Sequence, residues 1–202
     1  MNSSTRGRVC YNTCMKRVFI IHGWDGKPEH GWSPWLKKEL EDKGYTVEAP
    51  AMPDTATPTL EKWLQHLKKV VGTPDEDCYF VGHSLGCITI LRYLESLPED
   101  QIVGGVVLVA GFSSNLEYDG YKNELLSFFE TPVLWEKIKS QCKKFVVIHS
   151  TDDPWVLIKH LDIFKDKLEA DAVRMENMKH FSGDDGISKF PILLEKILEI
   201  SN

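Results

Sequence analysis

Ser84 stands between two glycines in Gly82-His83-Ser84-Leu85-Gly86, directly after the apolar run at 78–81. A serine hydroxyl is a weak nucleophile until a base takes its proton, and the base needs a carboxylate to orient it. The spacing Gly-x-Ser-x-Gly also arises by chance, so its weight comes from context: an apolar strand in front and a helix behind. In that setting the glycines give room where strand and helix crowd together. The turn lifts the hydroxyl to the start of a helix, where N–H groups and the helix dipole favour developing negative charge.

On a strand-turn-helix scaffold of this kind the order after the serine should be acid, then histidine. Three histidines follow: His149, His160 and His180. His149 falls inside an apolar strand and His160 inside a helical stretch, so His180, in the loop "MENMKHFSGDDG" after the last strand, is the expected base. The acid belongs in the preceding loop, "STDDPWV", where Asp152 and Asp153 both qualify. Asp153 is preferred because it opens Asp-Pro-Trp-Val, where proline fixes the turn; Asp152 is then expected to be a solvated turn residue or a helix cap. For the oxyanion hole, "FIIHGWDG" after the first strand offers the amide of Trp24, to be paired with that of Leu85. Gly23, Trp24 and Trp135 are expected to touch substrate.

These residues need a rigid frame, and the chain alternates strand and helix patterns. Strands are expected at 17–21, 46–49, 78–81, 103–110, 145–149 and 172–176, several as continuous apolar runs of the sort covered on both faces in a parallel sheet. Helices are expected between them. Ser33-Pro34 reads as a cap and first residue of one that Gly44 stops; Thr57-Pro58 starts a second; 84–97, 155–168 and 191–200 complete the set. That alternation predicts βαβ units with right-handed crossovers. The expected organisation is one α/β domain over 15–202 with a small cap-like insert at 113–144 over the sheet, preceded at 1–14 by a mobile extension. Met15, opening "MKRVFIIHG", reads as an alternative start.

The chain of 202 residues, 42% hydrophobic and with a net charge of −6, carries no Lys/Arg stripe for a nucleic-acid or anionic-membrane surface. No apolar segment approaches the roughly 18 residues that span a bilayer, and the N-terminus has no apolar signal core. Neither nucleic acid nor membrane is expected as a partner, and the expected compartment is the cytoplasm. Five scattered cysteines fit a reducing interior. Cys10 and Cys14 lack a second ligand pair, and Asp184-Asp185-Gly186 lacks the alternating oxygens of a calcium loop, so no metal and no cofactor is expected. Cys87 is read as helix packing, and the Asn2-Ser3-Ser4 sequon as inert.

Taken together, "FIIHGWDG", "HGWSPWLKKEL", "AMPD", "FVGHSLGC", "GGVVLVAGF", "WEKIK", "STDDPW" and "KHF" resemble the small α/β hydrolases of the retinoblastoma-binding serine hydrolase family and its bacterial relatives, over nearly all of the chain from Met15. The resemblance implies an α/β-hydrolase fold, with a mostly parallel central sheet flanked by helices. It aligns Ser84 with the nucleophile, Asp153 with the acid, His180 with the base and Gly23-Trp24 with the oxyanion loop. One departure matters: Leu85-Gly86-Cys87 continues with Ile88-Thr89, not toward the glutamate of a Leu-x-Cys-x-Glu motif, so a retinoblastoma-type pocket protein is not expected as a partner. The leading expectation is a serine hydrolase acting on a small carboxylic ester, or a thioester or amide, through an acyl-enzyme. The alternative is a non-catalytic binding or scaffold protein on a hydrolase fold.

Overall fold

A computed structural model describes residues 15–116 and 125–202 of the chain. Six parallel strands form one sheet in the order β2-β1-β3-β4-β5-β6: β1 Arg17–Ile21, β2 Thr46–Glu48, β3 Cys78–His83, β4 Gly105–Val109, β5 Phe145–Ser150 and β6 Asp171–Met175. The inner strands β1, β3, β4 and β5 read as largely apolar runs because successive side chains enter two different cores, whereas the edge strands β2 and β6 are partly exposed. Phe19, Phe80, Leu108 and Val147 pack against α2 (Leu60–Val71), α3 (Leu85–Glu95) and α5 (Lys159–Leu168). Their neighbours Ile20, Val81, Val109 and Ile148 pack against α1 (Ser33–Glu41) and α6 (Pro191–Ser201) on the other face. Helix α3 runs between the sheet and the outer helices, and is buried from Leu85 to Leu94.

Several expected boundaries move, each for a local reason. Trp32, not Ser33, caps α1, and the Ser33 hydroxyl is buried inside the helix without a hydrogen-bond partner. Helix α2 starts at Leu60 with extended Thr59 as its cap, two residues beyond Pro58. Helix α5 starts at Lys159 rather than Trp155, because the Asp153 carboxylate takes the N–H groups of Trp155 and Val156 and holds that stretch as a turn. Strand β4 begins at Gly105, and Val103 meets Cys142 only in an isolated bridge.

Residues 125–144 of the insert lie in the helical layer beside the sheet. Phe128, in a 3-10 turn at Leu126–Phe128, meets Trp63 edge-on at 5.9 Å. Helix α4 (Trp135–Ser140) packs on α3 and α5. Buried Arg92 of α3 donates to the carbonyls of Phe128, Thr131 and Pro132 and pairs with Glu95 at 2.8 Å, while Glu95 accepts the Leu134 N–H. This clamp ties the segment at 128–134 to α3. Insert residues 117–124, and residues 1–14 with Cys10, Cys14 and Asn2, lie outside the described residues. Among the described residues no helix is long and apolar enough to cross a membrane, and no group of His, Cys, Asp and Glu could hold a metal ion.

Candidate active site

Strand β2 lies on one side of β1 and β3 on the other, so the connections diverge and leave a crevice beyond the C-terminal ends of β1 and β3. The Ser84 turn closes one side of it. Ser84 has φ 53° and ψ −119°, a left-handed conformation rare outside glycine. Its N–H donates to the Val109 carbonyl of β4 at 2.9 Å, and its own carbonyl accepts the Cys87 N–H at 3.0 Å. Gly86 is required by close approach: a Cβ there would stand 2.2 Å from the Ile21 carbonyl oxygen at the end of β1. Leu85 is the first residue of α3, where a helical N–H has no acceptor within its own helix. Cys87 is buried against β4, its Sγ donating to the Val109 carbonyl at 3.4 Å, and burial pushes its thiol well above the usual range.

The loop after β1 forms the facing wall. His22 is buried; its Nδ1 donates to the Gly23 carbonyl at 2.8 Å and its Nε2 accepts the Met52 N–H at 3.1 Å. A carbonyl can only accept and an amide N–H only donate, so these partners fix the neutral Nδ1–H form. Burial, outweighing the Gly23 bond, holds its pKa below the usual imidazole value. The Gly26 N–H shares the Gly23 carbonyl, the Asp25 N–H donates to Thr55, and the Trp24 indole donates to the Ala56 carbonyl at 3.0 Å. The turn holding the Trp24 amide is therefore tied down on several sides. Gly23 is required by close approach to Ser84: a Cβ there would lie 2.9 Å from Ser84 Cβ and 3.4 Å from Oγ.

Asp153 and His180, the expected acid and base, come from the loops after β5 and β6. His180 Nδ1 lies 2.8 Å from Asp153 Oδ2, and the Asp153 side chain has no exposed surface. Asp153 Oδ1 accepts from the amides of Trp155 and Val156 at 2.8 and 3.0 Å, so both carboxylate oxygens are used. Asp152 points elsewhere: it is an exposed turn residue, as expected, and its Oδ1 accepts from the Ser150 hydroxyl and from the amides of Met178 and Lys179. The other two downstream histidines are buried away from this contact. His149 donates from Nε2 to the Gly111 carbonyl at 2.8 Å, and His160 lies in the first turn of α5.

Ser84 and His180 line one cleft of about 560 Å³ together with Gly23, Trp24, Trp32 and Trp155, and Asp25, Lys27, Glu29, His30 and Asp184 also line it. Among the described residues no hydrogen bond joins the Ser84 and His180 side chains. Such bonds are often long in a free site and tighten around substrate. Trp135 is a correction. It opens α4, and its ring packs on Phe164 of α5 at 6.1 Å, so it lines the helical layer and not this cleft.

Sequence reasoning missed three residues that shape the loop carrying His180. His83 Nε2 donates to the His180 carbonyl at 2.7 Å, with the two rings 5.0 Å apart. Burial, and next the neighbouring His180, lower the His83 pKa to about 4. Trp32 donates from its indole to the Phe181 carbonyl at 2.9 Å. Asp185 Oδ2 accepts from the amides of His180 and Ser182 and from the Ser182 hydroxyl; those bonds outweigh its partial burial and hold its pKa below the usual carboxylate value. Ser182 and Asp185 carry the Ser-x-x-Asp spacing of a reciprocal capping pair, a signal that was readable but has no helix after it.

A family model described as "Serine hydrolase" matches residues 18–199. YdeN of Bacillus subtilis (strain 168) is 34% identical over 180 residues, which cover 89% of this chain and 93% of YdeN. The crystal structure of the ydeN gene product superposes with a TM-score of 0.84 over 92% of this chain and 98% of that one. Serine hydrolase RBBP9 of Rattus norvegicus is 34% identical over 158 residues, 77% of this chain and 81% of the rat protein. Est1E of Butyrivibrio proteoclasticus shares the fold at 17% identity, with a TM-score of 0.70 over 92% and 88% of the two chains. Six parallel strands flanked by helices, in this company, are an α/β-hydrolase fold.

Proposed function

Because the chain belongs to the serine hydrolase family and is a hydrolase, we propose that it cleaves a small carboxylic ester, with thioesters and small amides as related substrates, through an acyl-enzyme on Ser84. The observation that carries this reading is the 2.8 Å bond from His180 Nδ1 to buried Asp153, in the cleft that Ser84 enters from its strained turn. A carboxylate only accepts, so Nδ1 carries the proton and Nε2 is left with a lone pair for the serine. Ser84 Oγ attacks the carbonyl carbon while its proton passes to His180 Nε2, and Asp153 stabilises the imidazolium that forms. The oxyanion draws on the amides of Trp24 and Leu85. Collapse expels the alcohol, which takes the proton from His180. Water, deprotonated by the same nitrogen, then releases the acid and frees Ser84.

A cleft of about 560 Å³ falls within the usual range for small-molecule sites, roughly 300–1,000 Å³, which supports compact substrates. The free thiols of Cys78, Cys87 and Cys142 support action in the cytoplasm.

The test is covalent labelling by a fluorophosphonate, run beside turnover of an activated ester panel graded by acyl length. Labelling and turnover are expected in the wild type and lost in Ser84→Ala. A chain that is unlabelled, or labelled equally after Ser84→Ala, would defeat the reading.

A further inference from the structure

We propose that Asp152 is a positioning residue for the base: it holds the loop that carries His180 by serving as the anion in a nest of that loop's backbone amides, leaving Asp153 to hold the imidazole. The proposal rests on the reading of His180 as the base.

Strands β5 and β6 end side by side, with Ser150 paired to Met175 and the Thr151 N–H donating to the Met175 carbonyl at 2.9 Å. Beyond that pairing the base loop does something unusual for residues with side chains. Asn177, Lys179 and Phe181 have φ of 58°, 47° and 57°, three left-handed non-glycine residues at alternate positions. Alternation of this kind turns successive N–H groups toward one side, the concavity that elsewhere binds phosphate or other anions. Here a carboxylate of the same chain fills it. Asp152 Oδ1 accepts the N–H groups of Met178 and Lys179, each at 3.2 Å, and also the hydroxyl hydrogen of Ser150, whose oxygen lies 3.2 Å from the Met178 N–H.

The next amide, that of His180, goes to Asp185, and the His180 carbonyl goes to His83. Three consecutive amides and the carbonyl of the base are thus fixed by side chains from outside 177–181. The Ser150 hydroxyl and the loop amides hold the Asp152 pKa below the usual carboxylate value, as expected of a carboxylate in service as a hydrogen-bond acceptor. Asp152 is exposed and makes no contact with His180's ring, so its influence runs through the backbone. A loop in strained dihedrals keeps them only while its surroundings over-determine them, and Asp152 supplies that determination at the two residues before the base.

Steady-state hydrolysis of an activated ester by the full chain tests this. Asp152→Ala should lower kcat by about ten- to a hundredfold, as a slightly misplaced base does, with KM within about twofold. Asp152→Asn keeps an oxygen where Oδ1 stands and should stay within about threefold of wild type. The decisive comparison is a double-mutant cycle: in a His180→Ala background, Asp152→Ala should add no further loss, because its effect passes through the base. Wild-type kcat in Asp152→Ala, or an equal loss with and without His180, overturns the proposal. Should Asp152→Ala fail to fold, Ser150→Ala carries the same cycle, with a smaller fall in kcat expected and an unchanged kcat overturning it. If the wild type itself shows no Ser84-dependent hydrolysis, the reading of the site fails and the proposal falls with it.

Discussion

The turn carrying Ser84 is backbone packed on backbone, whereas the loop carrying His180 is backbone held by side chains. At Ser84 the helix start of α3 presses against the end of β1, and the requirement is a missing Cβ at Gly86. At His180 the contacts are hydrogen bonds from Asp152, Asp185, His83 and Trp32, contributed by four different stretches of chain. The two halves should therefore fail differently. Added bulk should break the first, and a lost acceptor or donor should break the second.

The largest expected effect falls on the second half. Asp153→Asn retains an oxygen for the Trp155 and Val156 amides, but its NH₂ can force His180 into the wrong tautomer. The fold should survive while kcat drops by about 10³–10⁴-fold. A circular-dichroism melt beside the ester assay checks both parts, and Asp152→Asn, with its much smaller effect, shows which of the two adjacent carboxylates touches the ring.

Gly86→Ala should behave in the opposite manner, losing stability and activity together. Its Cβ would stand 2.2 Å from the Ile21 carbonyl and 2.8 Å from that of His22, both backbone atoms with no room to swing aside. Parting β1 from α3 should destabilise the protein by at least about 1–3 kcal/mol, seen as a lower urea midpoint. It also shifts the Leu85 amide relative to Ser84, so kcat should fall by about 10²-fold. An alanine variant with wild-type stability would mean that the turn is held by something other than this contact.

This contrast also explains what could be read from the sequence. A glycine that permits close approach is a local signal, so Gly82-His83-Ser84-Leu85-Gly86 with a strand before it and a helix behind placed the turn correctly. The apolar runs likewise located β1, β3, β4 and β5, because burial on both faces leaves an unbroken pattern, while the edge strands β2 and β6, more exposed, showed as short stretches with β-branched residues between helical patterns. The hydrogen bonds of the base loop have no such pattern. Asp152 and Met178 lie 26 residues apart, and nothing in either local stretch announces the other. Trp135 was misplaced for a related reason: an aromatic residue in an insert has no periodicity to say which neighbour it packs on.

A titration of stability probes the second half more gently. Burial keeps His83 neutral in the folded protein down to about 4, against an ordinary 6.5. Between those values the unfolded chain binds the proton and the folded one does not, so the unfolding free energy should fall as pH drops from about 6.5 to about 4. His22 and His149, also lowered by burial, act with the same sign from the same upper limit. The lowered carboxylates Asp152 and Asp185 stabilise the fold above their ordinary value of 3.8, and that contribution is lost only as the pH falls below it. Urea midpoints across this range should therefore fall in two stages. His83→Gln should flatten part of the upper stage and leave the lower one in place; an unchanged upper slope would show that His83 protonates freely in the folded state.

The smallest expected effect lies in neither half. Trp135 packs edge-on against Phe164 of α5, outside the cleft, so Trp135→Phe, which keeps an aromatic ring at a half-buried position, should cost about 1–2 kcal/mol of stability, well below the loss from truncating a buried Trp to Ala. Across an ester series of graded acyl length its kcat/KM values should stay within about twofold of wild type, because no cleft wall has moved. Trp155, on the turn that Asp153 organises, does line the cleft, so Trp155→Ala should change the rank order of the same esters. If Trp135→Phe were the variant that reordered them, α4 would have to reach the substrate, and the helical layer and the site would not be separate.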